Sequence, residues 1–317
     1  MKGEHDIVIP VYMLREIADA EADFCQRVKK CDPMEAVKKI VFGYEYPLTM
    51  LERYFGKEKV KTLRILEIGS GNGFFLCYAL KCGLDIIGVE PGKTFGFEGR
   101  YLRAIKLLNL NSMCDAEKKL IDASAEKLPF KDNSFDVVIS IAVLEHVRDL
   151  DMSMRESIRV LKPGGFLWAN VPNYNSTFEG HHDVFWIPYM TKGIAKKYVK
   201  KVFNRDPYFI DELNFTTPKM FKKYLDSKES CGKLYLHGRG WVNAIFWIYS
   251  CCVDRNLLPK PTEYRGIKEK VTSLLQVRAA RLLLRVPLCI CVGFLELLGQ
   301  AIIFDVFLYK RGTDKLA

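Results

Sequence analysis

The stretch Arg64-Ile65-Leu66-Glu67-Ile68-Gly69-Ser70-Gly71-Asn72-Gly73-Phe74-Phe75 decides the fold. It begins as an apolar run typical of a β-strand, breaks into alternating glycines, and resumes with the spacing of a helix. A strand that turns into a helix in this way exposes backbone at the carboxyl edge of an open α/β sheet, where such sheets bind ligands. Glycine is needed there because a Cβ would block both the positive-φ turn and the close approach of a ligand. The stretch therefore predicts a ligand-binding α/β domain.

The segments after this stretch alternate between apolar runs and helical patterns. Besides Arg64–Ile68, strands are predicted at Asp85–Glu90, Lys119–Ala123, Phe135–Ile141, Phe166–Val171, Lys233–Leu236 and Ile302–Tyr309. Helical patterns lie between most of these strands, which is typical of βαβ crossovers. The sequence therefore predicts an α/β fold with a largely parallel sheet.

The chain is predicted to have three parts. Residues 1–62 form an N-terminal helical cap, and residues 63–237 form the core, with a loop-rich substrate insertion at 172–215. Residues 238–317 form an apolar and basic helical extension that ends in the closing strand. Within it, 286–304 approaches the length of a membrane span, but Pro287, Gly293, Glu296, Gly299 and Gln300 interrupt it. We predict that 286–304 is buried in the domain, with contact to a membrane surface and a true span as the alternatives.

The composition and charge of the chain limit the type of protein, the partners and the compartment that are possible. The chain is 49% hydrophobic and 27% charged, which excludes a disordered protein. Its net charge is +10, and residues 185–285 carry 20 basic against 8 acidic side chains. This asymmetry indicates an anionic partner (a phosphorylated or lipid-linked substrate, a membrane surface or nucleic acid) or else a solvated basic surface. The ten scattered cysteines form no metal-ligand pattern and indicate a reducing compartment, the cytosol.

The spacing of the glycines indicates which cofactor the loop holds. A dinucleotide fingerprint is Gly-x-Gly-x-x-Gly, whereas the three glycines from Gly69 to Gly73 lie at every second position and Phe74 takes the place of the last fingerprint glycine. The carboxylate of Glu67, just before the loop, suits an amino-bearing ligand better than a pyrophosphate. Glu90 ends the second strand, where a carboxylate accepts hydrogen bonds from ribose hydroxyls. These residues predict a nucleoside with an amino-acid tail and no phosphates.

Five motifs occur in order between residues 60 and 172. They are Glu67-x-Gly69-x-Gly71-x-Gly73, Glu90, Leu128-Pro129-Phe130 with Ser134-Phe135-Asp136-Val137-Val138, Val143-Leu144-Glu145-His146-Val147, and Leu161-Lys162-Pro163-Gly164-Gly165. With these motifs the chain resembles the class I S-adenosylmethionine-dependent methyltransferases, in their small-molecule, type 11-like branch. The resemblance implies a Rossmann-like, seven-stranded, mostly parallel sheet with an antiparallel last strand.

The same resemblance implies S-adenosyl-L-methionine as the cofactor. It places the cofactor contacts at Glu67, Gly69, Ser70, Gly71, Asn72, Gly73, Glu90, Pro91, Ser124, Ala125 and Ser140. At the adenine edge, Ser124 and the backbone of Ala125 are preferred and Asp122 is the alternative.

Three histidines are candidates for catalysis. His181 and His182 lie in the insertion, beside the expected acceptor side, and His146 follows the fourth strand. Since a hydroxyl acceptor needs a base, we predict that His181 or His182 is the base or a substrate ligand. Local loop hydrogen bonding is the alternative for these two, and helix-start packing is the alternative for His146. Substrate contacts are predicted at Tyr174, Asp183, Trp186 and Tyr189, although such aromatic residues also form cores, and no metal site is predicted.

The insertion is also similar, over about 20 residues, to that of methyltransferases associated with bacterial cell-surface glycan assembly. The sequence therefore predicts an O-methyltransferase of a glycan or lipid-linked intermediate. The alternatives are methylation of a quinone-like or other lipophilic small molecule, and a catalytically silent scaffold that binds the cofactor. The predicted partners are the acceptor and, through 241–304, a membrane surface, and no nucleic acid is expected. The predicted location is the cytoplasm, with peripheral contact at the inner face of the membrane.

Overall fold

The computed structural model describes residues 6–92, 99–113, 115–238, 240–254, 278–297 and 301–312. Its strands are β1 (Arg64–Ile68), β2 (Asp85–Val89), β3 (Leu120–Ile121), β4 (Phe135–Ile141), β5 (Leu161–Pro172), β6 (Phe178–Glu179), β7 (Val184–Phe185), β8 (Ser230–His237) and β9 (Ile303–Lys310). Seven of these strands form one sheet in the order β3-β2-β1-β4-β5-β9-β8, and β6 and β7 form a separate hairpin.

The predicted topology of the sheet is confirmed. Strands β3, β2, β1, β4 and β5 pair in parallel, whereas β9 runs antiparallel to both β5 and β8. The bounds predicted for β1 and β4 are confirmed residue for residue. Strand β5 is longer than predicted because its first residue, Leu161, pairs with Phe135 across an irregular register. The mostly parallel sheet with an antiparallel last strand is the Rossmann-like architecture.

Helices flank the sheet on both sides. They are α1 (Val11–Phe24), α2 (Pro33–Val41), α3 (Tyr46–Phe55), α4 (Lys57–Val60), α5 (Phe74–Lys81), α6 (Arg100–Leu110), α7 (Ala116–Lys119), α8 (Leu150–Val160), α9 (Lys192–Phe203), α10 (Pro218–Leu225), α11 (Gly240–Val253) and α12 (Arg278–Leu297). A π-helical turn follows α1 at Cys25–Lys29, and a 3-10 turn lies at Tyr208–Glu212. Helix α2 begins with a cap, in which the Asp32 side chain accepts a hydrogen bond from Glu35 N at 2.8 Å.

The alternation of side chains along the strands divides the core into two layers. Ile65 of β1 and Val137 of β4 pack in one layer with the N-terminal helices and with α5 and α6. Their neighbours Leu66 and Val138 pack in the other layer with α8 and α10. The helices before β1 therefore share a core with the sheet, on the same face as the helix that follows the glycine loop.

The insertion after β5 has a small core of its own. Trp186, Val199 and Ile210 are fully buried in it, together with Val28 from the π-helical turn. Two further contacts join the insertion to that turn, because Arg27 pairs with Asp206 and Asp206 N donates to the Arg27 carbonyl at 2.9 Å. The insertion is thus fixed against the end of α1 as well as against the sheet.

The prediction that 286–304 is buried is wrong for one face of α12. Val286, Ile290 and Phe294 are 66%, 70% and 60% exposed, whereas Val292 and Leu295 on the other face are buried. Helix α12 packs mainly on α11, and a helix that packs on one side buries one stripe of its surface and leaves the opposite stripe exposed. Within the described ranges, no helix combines the length and apolarity needed to cross a bilayer. Most of the basic amphipathic helix that the sequence predicts at 267–284 lies outside the described residues.

Candidate functional site

A cavity of about 1250 Å³ lies at the carboxyl ends of β1, β2 and β4, between the sheet, the N-terminal helices and the insertion. Of the predicted cofactor contacts, it is lined by Glu67, Gly69, Ser70, Gly71, Asn72, Glu90, Pro91, Ser124 and Ala125. Of the predicted catalytic and substrate residues, it is lined by His146, Tyr174 and His181. The structure therefore brings the glycine loop and two of the three candidate histidines to one cavity.

The other predicted site residues do not line this cavity; they are Gly73, Ser140, His182, Asp183, Trp186 and Tyr189. Gly73 and Ser140 lie behind the cavity wall, at the start of α5 and in β4. His182 and Trp186 are completely buried inside the insertion. Asp183 and Tyr189 lie on its outer surface, where Tyr189 is 71% exposed.

The glycine loop is held in a conformation that side chains would prevent. Gly69 has φ +76°, and a Cβ on it would lie 2.3 Å from Cγ2 of Val143. Gly73 has φ +79°, and a Cβ there would lie 2.8 Å from Cβ of Ala104 in α6. The loop backbone is therefore fixed against both Val143, just after β4, and α6, and it lies open toward the cavity.

Buried polar groups support the loop from beneath. Glu90, which is 5% exposed, accepts a hydrogen bond from Gly71 N at 2.8 Å through Oε2. The Asn72 carbonyl oxygen Oδ1 accepts from Nε of the buried Arg103 at 2.9 Å. Burial raises the pKa of Glu90, and the Gly71 hydrogen bond and the charges of Arg100 and Arg103 oppose that rise. Glu90 therefore holds the loop as well as facing the cavity where a ribose is predicted.

The two buried polar atoms Glu67 Oε2 and Ser140 Oγ have no hydrogen-bond partner among the described residues. Burial raises the pKa of Glu67 to about 7; the nearby Ser70 hydroxyl opposes this rise, and the charge of Glu90 adds to it. A buried carboxylate oxygen without a partner is unfavourable unless a ligand supplies a donor. An ammonium group is such a donor, and so the residues present fit a nucleoside with an amino-acid tail.

At the predicted adenine edge, Asp122 and Ser124 both line the cavity. Asp122 Oδ1 accepts a hydrogen bond from Gly92 N at 2.7 Å and so fixes the loop that follows Glu90. Ser124 and the buried Ala125 lie beyond it on the same wall. The preference for Ser124 and Ala125 stays a prediction.

We expect binding of the amino-bearing cofactor to release a proton from Glu67. This carboxyl, with a pKa of about 7 in the free protein, is largely protonated at about pH 6, and a bound ammonium group favours its ionised form. The affinity should therefore rise between about pH 5.5 and 7.5. Isothermal titration calorimetry at about pH 6, in two buffers that differ in ionisation enthalpy, measures the release.

The Glu67→Gln variant is the control, because an amide keeps the shape of the side chain and has no proton to release. It should bind more weakly and show no proton linkage. Zero proton release by the unaltered protein at that pH would contradict the assignment of Glu67 to an amino-bearing ligand.

A network in the insertion is centred on Glu179, which lines the cavity and is 2% exposed. Its Oε1 accepts from Nδ1 of His181 at 2.7 Å, and its Oε2 accepts from Nδ1 of His182 at 2.8 Å. The backbone N–H groups of both histidines donate to the same carboxylate. Burial opposes ionisation of Glu179, but the two histidines hold its pKa well below the usual range. In neutral His181, Nδ1 carries the hydrogen and donates it to the Glu179 carboxylate. The other ring nitrogen, Nε2, is therefore the atom that can accept a proton.

Two acidic residues that line the cavity beside the histidines, Glu145 and Glu179, were not predicted from the sequence as site residues. Glu145 is 1% exposed, its Oε2 has no hydrogen-bond partner in the described part of the chain, and burial raises its pKa to about 7. Nε2 of His146 lies 3.8 Å from Glu145 Oε1. Both acids adjoin candidate histidines, at Glu145-His146 and Glu179-Gly180-His181-His182, which is a signal that the sequence contains.

Glu145, His146 and His181 together have the composition of a cation site. One ligand atom from each lies within 4.8 Å of the other two. The second ring nitrogen of His181 is hydrogen-bonded to Glu179, as in many histidines that bind metals. Because these three residues could together bind a cation, the prediction that the chain has no metal site stays untested.

Comparisons with known proteins agree with this geometry. A family model described as "Methyltransferase domain" matches residues 66–169, from β1 to β5. An uncharacterized methyltransferase of Mycobacterium sp. (strain KMS) is 32% identical, over 37% of this chain and 42% of the relative. The ubiquinone biosynthesis O-methyltransferase of Azorhizobium caulinodans is 27% identical, over 45% of this chain and 55% of the relative. The chain thus spans about half the length of these relatives, and the family-model match includes the glycine loop.

Among solved structures, phosphoethanolamine N-methyltransferase 2 of Haemonchus contortus in complex with S-adenosyl-L-methionine is 17% identical. That match covers 92% of this chain and 60% of the other, with a TM-score of 0.47. The family match ends before the insertion, which supplies Tyr174, Glu179 and His181 to the cavity.

Proposed function

Residues 66–169 are a methyltransferase domain of the type 11 family with S-adenosyl-L-methionine as cofactor, and we propose that the chain methylates a hydroxyl group of a glycan or lipid-linked acceptor. The observation that carries this proposal is the hydrogen-bonded pair Glu179–His181 on the wall of the cavity that the glycine loop also lines. A histidine backed by a carboxylate is suited to accept the proton of a hydroxyl group.

At the cofactor side, each residue has a distinct task in the proposal. Glu67 binds the amino group, Glu90 binds the ribose hydroxyls, and the backbone from Gly69 to Gly71 lies against the tail. The cofactor supplies an electrophilic methyl group on a sulfonium, whose leaving group is neutral and needs no acid. The protein therefore has to align the acceptor, exclude water and accept one proton.

At the acceptor side, His181 Nε2 takes the hydroxyl proton while Glu179 stabilises the resulting imidazolium. Burial opposes the charged form of His181, but the charge of Glu179 at 2.7 Å raises its pKa overall. His146 differs, because burial holds its pKa well below the usual range and keeps the ring neutral. We therefore assign the base to His181, while His182 positions Glu179 from the buried side.

Several features support a lipophilic or lipid-linked acceptor. Tyr174, Phe178 and Phe209 line the cavity with aromatic surface, and Lys29 and Arg148 add positive charge. The exposed stripe Val286, Ile290 and Phe294 on α12 supports a peripheral contact of 241–304 with a membrane at the cytoplasmic face. The curated relative named for ubiquinone biosynthesis favours the second candidate, O-methylation of a quinone-like molecule.

The three-part organisation belongs to the same proposal. Residues 1–62 act as a helical cap, since side chains from Glu21 to Pro47 line the cavity. Residues 63–237 hold the cofactor and, through the insertion, the acceptor. Residues 238–317 complete the sheet with β9 and carry α12. A silent scaffold that only binds the cofactor is the alternative from another functional class.

The proposal is tested by the pH dependence of the Glu179→Gln variant. Since the Glu179 charge raises the pKa of His181, removing that charge lowers it. A base works when deprotonated, so the rising limb of kcat/KM against pH should move to lower pH in the variant, with a lower plateau. Methyl transfer to a membrane-lipid extract, measured across the pH range, checks this. A rising limb that stays in place would exclude His181 as the base.

A chelator distinguishes proton transfer by His181 from chemistry at a bound cation. If His181 Nε2 is the base, activity should be unchanged after dialysis against EDTA. If Glu145, His146 and His181 hold a divalent cation, activity should be lost and return with added Zn²⁺ or Mg²⁺. Loss and recovery would overturn the assignment of the base.

A further inference from the structure

The outer surface of the insertion combines exposed apolar groups with a run of lysines. From Val184 to Tyr189 the side chains alternate, so that Val184 and Trp186 are buried while Phe185, Ile187 and Tyr189 are 60%, 47% and 71% exposed. The Trp186 indole fixes this orientation, because its Nε1 donates to the Tyr174 carbonyl at 3.1 Å. The exposed apolar groups therefore result from the register and are held in place.

Helix α9 continues the same surface. Ala195 and Val199 face the core, whereas Ile194 is 57% exposed and shares the outer stripe with Lys197 and Lys201. The hydroxyl of Tyr198 donates to the Phe185 carbonyl at 3.0 Å, which joins the helix to the extended segment. We call Phe185, Ile187, Tyr189, Ile194, Lys197, Lys200 and Lys201 the insertion face.

The charged residues of the insertion face are all basic. Residues 185–205 contain five lysines, one arginine and no acidic residue. Lys192 and Lys196 are bound to Asp211, through its carbonyl and its carboxylate. For Lys197, Lys200 and Lys201 the structure shows no ion pair with any described residue. The ammonium groups of Lys197 and Lys201 are therefore available to an external anionic surface, whereas the charge of Lys200 also acts on the carboxylate of Asp206.

We infer that the insertion face docks on a membrane that contains anionic lipids. Exposed aromatic and branched aliphatic groups beside lysines are the combination by which peripheral proteins enter the headgroup region. Anionic headgroups attract lysines near the surface, and this attraction is weakened by salt. Exposed isoleucines favour lipid over nucleic acid, since stacking on bases uses aromatic rings.

Docking by this face also explains the position of the insertion relative to the site. The residues just before the insertion face, Tyr174, Glu179 and His181, line the cavity. The face is separate from the stripe on α12, and the inference stands whether or not the acceptor is a lipid. Vesicle binding is therefore measured without any acceptor.

The test is sedimentation of the full chain with vesicles of phosphatidylcholine alone or with about 30% phosphatidylglycerol. We expect binding to the mixed vesicles that falls with salt, and at least about tenfold weaker binding by the triple variant Ile187→Ser, Ile194→Ser, Lys197→Glu. The matched control is Leu102→Ser, Leu110→Ser, Lys118→Glu on α6 and α7, outside the insertion face, where both leucines are exposed. This control should bind the vesicles like the unaltered chain. Affinity for S-adenosyl-L-methionine shows that both variants are folded.

Three results would overturn the inference. The first is no preference of the unaltered chain for anionic vesicles. The second is unchanged binding by the insertion-face variant together with loss in Val286→Ser, Ile290→Ser, Phe294→Ser, which would place the contact on α12. The third is an insertion-face variant that keeps vesicle binding and loses binding to single-stranded poly-uridine, which would assign the face to nucleic acid.

Discussion

The Gly69→Ala variant loses at least about 100-fold in affinity for S-adenosyl-L-methionine, which is about 2.7 kcal/mol. The physical reason is local: the new Cβ would lie 2.3 Å from Cγ2 and 2.9 Å from Cγ1 of Val143, in a backbone with φ +76°. Either the loop or the end of β4 has to move, and both form the cofactor wall. Isothermal titration calorimetry measures the loss.

Gly83→Ala is the matched control for this prediction. Gly83 has φ +79°, so alanine there is similarly strained, but nothing lies within 4 Å of the added Cβ. The control should lose some stability, on the order of 1 kcal/mol, and keep its affinity for the cofactor. Equal affinities of Gly69→Ala and the unaltered chain would show that the loop does not hold the cofactor.

The second large effect is expected at His181. Replacing His181 by glutamine should lower kcat by about 10²- to 10⁴-fold, the usual contribution of a general base, and leave the affinity for the cofactor unchanged. The His182→Gln variant should instead lose stability first, because His182 is completely buried and bound to Glu179. Single-turnover transfer of a labelled methyl group, together with thermal unfolding, separates the two effects.

His237→Gln is the control for His181→Gln. His237 is also bound to a carboxylate, with Nε2 2.8 Å from Asp305, but it does not line the cavity. It should keep its turnover. If His181→Gln kept full activity as well, the base would have to be sought at another residue of the wall.

Local patterns determine much of the fold, and for that reason the sequence predicts it well. Arg64–Ile68 and Phe135–Ile141 are short, mostly apolar runs, and their predicted bounds are confirmed. The topology follows from short crossovers between parallel strands. Burial of 286–304 was predicted wrongly only for one face of α12, because the exposure of that face depends on which helices pack against it.

The residues of the site also fall into a group whose positions the sequence predicts and a group whose positions it does not. Glu67, Glu90 and the glycines lie at strand ends, where sequence order alone brings them together. The contacts in the insertion are set by tertiary structure. The sequence therefore does not distinguish His181 from His182, although the two side chains lie in different environments. Glu179 binds both rings, and packing leaves His181 at the cavity and His182 in the core. Glu145 was not predicted because its surroundings are set by tertiary contacts, among them Asn214 N of the insertion, which donates to the Glu145 carbonyl at 2.6 Å.

The most direct test of the account is transfer of a tritium-labelled methyl group from S-adenosyl-L-methionine to a total membrane-lipid extract by the purified chain. We expect label in the organic phase, at least about 100-fold slower labelling by His181→Gln, and the same cofactor affinity for both proteins. Tight cofactor binding by the unaltered chain with no label in any lipid or glycan fraction would contradict it and favour the silent scaffold.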